Sequence, residues 1–226
     1  MVADATALAT NKFFAGHGKV KFGGLIKFTL IDFPGRPAAV IFTQGCNFRC
    51  RYCHNPELVY PHLFTEPVPQ EEIMSFLQRR QGTLEGVVVS GGEPTLHDDL
   101  PAFMASIKSL GYVLKLDTNG SRPDMIQELI DKKLVDYIAM DLKAPLEKYA
   151  LITGVDTNPE ILTRSMDIIR QSGVAYEFRT TYDKEVLTDA DIENLQNLTH
   201  HTCYRVQECL PVAKEKAALK VLHKEI

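Results

Sequence analysis

Three cysteines, Cys46, Cys50 and Cys53, fall within GCNFRCRYCHNPEL at residues 45–58, and His54 follows the last of them. Thiolates and imidazoles are metal ligands, so the first question is which metal chemistry this spacing allows. A structural zinc site takes four nitrogen or sulfur ligands in a tetrahedron, usually as pairs at either end of a longer loop. Here all four candidates crowd into one short run with the last two adjacent, an arrangement poorly able to converge on one small ion. A cubane iron-sulfur cluster is wider, and a short loop with three thiolates can hold three of its corners. One iron then lacks a protein ligand, unless Cys203 supplies a fourth thiolate and closes the cluster for electron transfer alone. Cys203 and Cys209 lie in and beside an apolar strand and read instead as buried thiols. Zinc is the second choice.

Composition sets the conditions under which that loop works. A chain of 226 residues that is 45% hydrophobic has enough apolar side chains for one sizeable core. The expectation is one domain over 20–226, preceded by an arm over 1–19. Twenty-five basic and 29 acidic residues give a net charge of -4, which leaves no footprint for nucleic acid or an anionic membrane. MVADATALATNKFFAGHGKV lacks a basic start followed by an apolar run, and no apolar stretch reaches spanning length, so a cytoplasmic location is expected. Five cysteines, an odd number with three in one loop, favour metal over disulfides in a reducing compartment.

The loop must be held by something, and the rest of the chain alternates strands with helices. AVIF at 39–42, VVVS at 87–90, YVLKLD at 112–117, YIAMD at 137–141, AYEFRTTY at 175–182 and YRVQE at 204–208 read as strands. Between them Leu100, Phe103, Met104 and Ile107, then Ile126, Leu129 and Ile130, then Leu162, Met166 and Ile169, recur at helical spacing. Thr188 opens a T-x-x-D capping box. Such alternation implies a parallel sheet with right-handed crossovers. A full eight-unit barrel typically takes about 250 residues. Six units fit this chain better: an α/β fold, an incomplete parallel (β/α)6 barrel, with the tail PVAKEKAALKVLHKEI as a closing helix.

In parallel β/α barrels the reactive face lies at the carboxyl ends of the strands. Almost every strand here ends in groups that an apolar core would not select: Gly91, Gly92 and Glu93, then Asp117, Thr118 and Asn119, then Asp141 and Lys143, then Arg179 and Thr181, then Gln207. Each has a plain alternative as turn chemistry, a helix cap or a surface pair. Their coincidence at one rim, where the first strand also delivers the cysteines, is what points to a site. His200 and His201 are adjacent, and neighbours in an extended segment point to opposite faces, so a second metal there is not expected.

The C-x3-C-x2-C spacing with Tyr52 before its last cysteine, followed by Gly-Gly-Glu after the next strand, resembles the radical S-adenosylmethionine (SAM) superfamily. TLIDFPGRPAAVIFTQGCNFRCRYCHNPEL, SGGEPTL, LDTNG and MDLKAP look more narrowly like the glycyl-radical-enzyme activases, above all those of anaerobic ribonucleoside-triphosphate reductase. That resemblance implies a 4Fe-4S cluster on Cys46, Cys50 and Cys53, with SAM chelated at the open iron. It places Tyr52 and His54 beside the nucleoside, and Gly91, Gly92 and Glu93 at the methionine ammonium. Asp117, Thr118 and Asp141 match a monovalent-cation site, with Asn119 alongside, and Lys143, Arg179 and Thr181 would face the methionine carboxylate or the ribose. Asp32 occupies the place of an aspartate that meets the incoming glycine loop. Phe33, however, stands where activases of pyruvate formate-lyase carry a glycine, which argues against that partner. The implied partners are a glycyl-radical enzyme and a flavodoxin or ferredoxin as electron donor. Two rivals remain: a radical enzyme acting on a small molecule, as 7-carboxy-7-deazaguanine synthases do, and a non-enzymatic cluster or zinc protein.

Overall fold

A computed structural model describes residues 20–200 and 203–209. The expected arm at 1–19, His201 and the expected closing helix lie outside the described residues. Among the described residues, seven strands form one sheet in sequence order: β1 (Phe22–Thr29), β2 (Ala38–Thr43), β3 (Gly86–Gly91), β4 (Val113–Thr118), β5 (Tyr137–Asp141), β6 (Ala175–Tyr182) and β7 (Tyr204–Glu208). From β2 to β7 every pair is parallel, and these are the six strands read from the sequence. The sheet is not closed, since β1 and β7 are its edges. Among the described residues, no helix is long and apolar enough to cross a membrane.

The addition to the expected six is β1, which pairs antiparallel with β2 from Phe22↔Thr43 to Thr29↔Ala38, with two register breaks. Its sequence, FGGLIKFT, carries two glycines and no clean alternation. Pairing along β2 makes it a strand where local propensity does not.

Helices α1 (Gln70–Arg80), α2 (Leu100–Lys108), α3 (Pro123–Asp131), α4 (Tyr149–Thr153), α5 (Pro159–Gln171) and α6 (Asp189–Leu198) run between the strands. Each long one sends its apolar stripe to the sheet: Ile73 and Leu77, Leu100 and Met104, Ile126 and Leu129, Met166 and Ile169, and Leu195 are all buried with Ile41, Val87, Val89, Leu114, Leu116, Ile138 and Phe178. Successive strand residues point to opposite faces, so the inner face is built from the alternate positions. At its amino-terminal end Ala38, Val40 and Val88 pack with Phe33, which comes in from the β1–β2 turn. The Thr188 capping box forms as expected, its hydroxyl accepting from the Asp191 N–H while the Asp191 carboxylate accepts from the Thr188 N–H.

Candidate active site

The carboxyl ends of the strands surround an open cleft of about 940 Å³. Cys46, Cys50, Tyr52, Cys53 and His54 line it from the loop after β2. Gly91, Gly92 and Glu93 come from β3, Asp117, Thr118 and Asn119 from β4, Asp141 and Lys143 from β5, Arg179 and Thr181 from β6, and Gln207 from β7. Every cofactor-facing residue expected from the sequence is thus brought to one place. Phe48, Val59 and Ser90 also line it and carried no sequence signal of their own.

The cysteine loop is tied down by its backbone. Gly45 N–H donates to Leu58 O at 2.7 Å, Glu93 N–H to Gly45 O at 2.7 Å, and Arg49 N–H to Thr153 O at 2.7 Å. The Arg49 guanidinium caps Cys46 O at 2.6 Å and Phe48 O at 2.8 Å. A Cβ on Gly92 would overlap Gly45 O and come within 3.0 Å of Leu58 O, and one on Gly91 would overlap the Thr43 backbone. Gly91 also sits at φ +126°, a region L side chains rarely adopt. Both glycines therefore have a nearer reason than a cofactor: they let β3 close against the loop that carries the thiols.

Glu93 lines the cleft and also braces it. Its carboxylate is 1% exposed, and Oε1 accepts from Thr95 N–H at 3.1 Å, the Thr95 hydroxyl at 2.5 Å and the Thr118 hydroxyl at 2.8 Å, while Oε2 accepts Asn119 N–H at 2.6 Å. Burial raises its pKa against these donors. The carboxylate joins the ends of β3 and β4. Asn119 in turn reaches Asn47 Oδ1 at 2.9 Å and the Cys46 sulfur at 4.0 Å.

Cys46 and Cys50 are placed where ionisation is unfavourable without a positive partner. Burial pushes Cys46 well above the ordinary thiol range, with Cys50 and Glu93 adding to it. Burial also raises Cys50, to about 11, with Lys143 opposing. Iron bound at these sulfurs would supply the missing positive charge. Among the described residues no three His, Cys, Asp or Glu side chains are placed to hold one metal ion, and His54 is exposed. That geometry opposes the four-ligand zinc reading, whereas a cluster asks each thiolate for a separate iron. Cys203 sits before β7 at the amino-terminal end of the strands and does not line the cleft, so it cannot be a fourth ligand there. Nor is it buried as expected: it is exposed, with a left-handed backbone.

Two polar atoms in the cleft fit a polar ligand. The Tyr52 hydroxyl is buried without a hydrogen-bond partner among the described residues, and burial raises its pKa. Asp117 Oδ1 is a buried oxygen with no aligned hydrogen-bond donor, although two cations stand near it, Lys115 at 2.8 Å and Arg179 at 3.7 Å. Asp141 Oδ1 holds Arg179 Nε at 2.9 Å and its Oδ2 holds Lys143 Nζ at 3.0 Å. Burial alone would raise the Asp141 carboxyl, but the charges of Arg179 and Lys143 outweigh it and bring it down to about 2.

Asp32 is the site residue that stands apart. It belongs to a neighbouring cavity with Ile31, Lys115, Glu177 and Arg205, which shares Arg179 and Gln207 with the cleft. Its carboxylate accepts from the Thr29 hydroxyl at 2.5 Å. Lys115, hidden inside an apolar strand sequence, was missed by pattern; a charge at an otherwise hydrophobic strand centre is the signal that could have found it.

The model for the radical SAM superfamily matches residues 40–198. Over 201 residues the chain is 35% identical to a protein of Methanocaldococcus jannaschii named as a glycyl-radical enzyme activating enzyme, covering 85% of this chain and 81% of that one. It is 33% identical over 87 residues to a 7-carboxy-7-deazaguanine synthase of Aquifex aeolicus, 38% of each chain. The structure of Streptococcus suis SuiB bound to S-adenosylmethionine shares the fold, with a TM-score of 0.61 at 15% identity over 82% of this chain and 48% of that one. This chain therefore spans about half the length of SuiB. The cysteine loop, the open parallel sheet and the match across the strands that carry the rim agree: the chain belongs to the radical SAM superfamily and is an enzyme of that kind.

Proposed function

We propose that this chain installs a glycyl radical on a partner enzyme, anaerobic ribonucleoside-triphosphate reductase, using a 4Fe-4S cluster and SAM. One observation carries the reading: three thiols from a single loop share a cleft with the Asp141, Arg179 and Lys143 ion pairs and an unpartnered Tyr52 hydroxyl. A cluster held there would supply the electron for reductive cleavage of SAM, the chemistry by which hydrogen would be taken from a glycine Cα of the partner.

The chain's own residues bind and orient. Cys46, Cys50 and Cys53 would hold the cluster through three thiolates, which leaves one of its irons for SAM. Burial works against the charged forms of Lys143 and Arg179, but Asp141 together with their other acidic neighbours outweighs it, which suits both to a carboxylate or ribose oxygen. Tyr52 offers its hydroxyl, His54 flanks the nucleoside at the mouth, and Thr181 lies beside them. Glu93 and Asn119 fix the backbone between the loop and β4. Asp32 lines the neighbouring cavity, which supports a role toward the partner's glycine loop rather than toward SAM. The name of the Methanocaldococcus relative supports the activase class; the choice of reductase rests on the IDFPG segment with Phe33 in place of a glycine. A flavodoxin or ferredoxin is the proposed electron donor.

The test is made without oxygen. Purified chain is reconstituted with iron and sulfide, reduced, given SAM and assayed for 5′-deoxyadenosine. A filled cluster with no product above background would sink the enzyme reading. Given product, adding the reductase should yield a glycine-centred radical signal. Absence of that signal, with turnover of a small nucleobase precursor instead, would favour the deazaguanine-type reading.

A further inference from the structure

Lys115 is the residue at this site that no expectation covers. It lies mid-strand on β4, points to the inner face, and is 2% exposed. An ammonium is retained at such a position only where other groups replace its water. Three do so: Asp117 Oδ1 at 2.8 Å, the backbone oxygen of Asp32 at 2.7 Å, and the Tyr137 ring, whose centroid is 5.9 Å away. A leucine or methionine would fill the same volume without the desolvation, so packing alone does not account for the lysine.

The charges around it decide what else can bind. Asp117 and Asp141 are the carboxylates that the family resemblance would give to a monovalent cation. Arg179 reaches both, with Nη1 3.7 Å from Asp117 Oδ1 and Nε 2.9 Å from Asp141 Oδ1, and Lys143 adds a contact of 3.0 Å to Asp141 Oδ2. Two carboxylates thus have three cationic groups in ion-pair reach. A metal ion ligated by both would be a fourth positive charge among three fixed ones, in walls of low dielectric where repulsion is strong. The residues present do not fit that ion. The Asp117 oxygen still lacks an aligned donor, and a neutral hydroxyl satisfies it without adding charge.

We propose that the Lys115 ammonium takes the place of the monovalent cation, balancing Asp117 from within the chain and tying it to the Asp32 turn. Lys115 is then a positioning residue: it touches Asp117 on one side and the turn of the neighbouring cavity on the other. The proposal rests on the SAM reading of the cleft, and its test has an arm that does not depend on a glycyl-radical partner or on turnover.

Sodium-23 NMR line widths are followed on the full chain with its cluster oxidised and SAM bound, as sodium chloride replaces tetramethylammonium chloride at constant ionic strength. The parent should show no saturable broadening, and its KM for SAM should agree within about twofold in the two salts, as expected where no ion is bound. Lys115→Met should raise that KM by at least about tenfold in tetramethylammonium, with recovery on adding sodium and with saturable broadening. Lys115→Arg, which keeps the charge, should stay independent of sodium. Saturable sodium broadening in the parent overturns the proposal, and so does a Lys115→Met protein whose KM equals the parent's in both salts. If Lys115→Met does not fold, the parent titration alone decides. A filled cluster without 5′-deoxyadenosine would fail the functional reading and leave the sodium titration interpretable.

Discussion

At the amino-terminal ends of β2 and β3 the inner face of the sheet is closed by Phe33, 2% exposed, against Ala38, Val40 and Val88, with its ring lying over Gly86 where a Cβ would overlap it. At the carboxyl ends of the same strands the inner face opens into a cleft of thiols, carboxylates and cations. The floor is apolar and filled; the rim is polar and incompletely satisfied, with the Tyr52 hydroxyl lacking a partner. The difference teaches where this chain carries stability and where it carries reactivity. Side chains at the floor gain by excluding water, while those at the rim are held in unfavourable states that a ligand relieves.

Substitutions at the two ends should therefore separate folding from chemistry. The largest effect on chemistry is expected from Cys53→Ala, which removes a cluster corner: iron per chain should fall to background while the circular dichroism of the sheet stays that of the parent. The largest effect on folding is expected from Phe33→Ala, with a loss of about 3–5 kcal/mol in urea unfolding and iron per folded chain unchanged. Should Phe33→Ala instead lower 5′-deoxyadenosine per folded chain tenfold or more, about 1.4 kcal/mol of barrier, the division between floor and rim breaks down. Gly92→Ala sits between the two. Its Cβ overlaps Gly45 O, so the cysteine loop must shift, and a stability loss of about 1–3 kcal/mol should accompany faster iron release on gel filtration.

A subtler effect is expected from Asp141→Asn. Because the Asp141 carboxyl is depressed to about 2, its stabilisation is fully present above the unfolded carboxylate pKa of about 4 and is lost as pH falls through the folded value. Urea midpoints of parent and variant should differ at pH 6 and converge toward pH 2; a gap that persists unchanged would show that the ion pairs are not its source. The smallest effect should come from His54→Ala, which leaves iron content near the parent's. Iron loss equal to that of Cys53→Ala would return His54 to the metal.

Six of the seven strands were readable because their cores, such as VVVS and YIAMD, combine branched apolar side chains with abrupt polar endings. The rim was readable for the same reason, since charge at the end of a buried strand is conspicuous. β1 was not, because Gly23 and Gly24 weaken its propensity and its Ile26 and Phe28 stay exposed at 43% and 54%. The tie between Glu93 and the Thr118 hydroxyl and Asn119 N–H joins residues 25 and 26 positions apart, and no local pattern encodes it. The position of Asp32 depends on where the β1–β2 turn crosses the inner face, which is decided by Phe33 finding the space left by Gly86. Cys203 misled because its apolar neighbours predicted burial, whereas the β7 edge leaves it in solvent.

The three thiols proposed for the cluster come from one loop, and that loop is already pinned by Gly45, Arg49 and Glu93 to structure on either side. A metal that joins distant segments, as in a zinc finger, makes the fold conditional on itself. Here the inorganic group cross-links a loop only to itself, so chain collapse and cofactor maturation are separable events. On that reading the scaffold would finish assembling first, accept iron and sulfide afterwards, and outlast oxidative loss of the cluster as a reloadable shell.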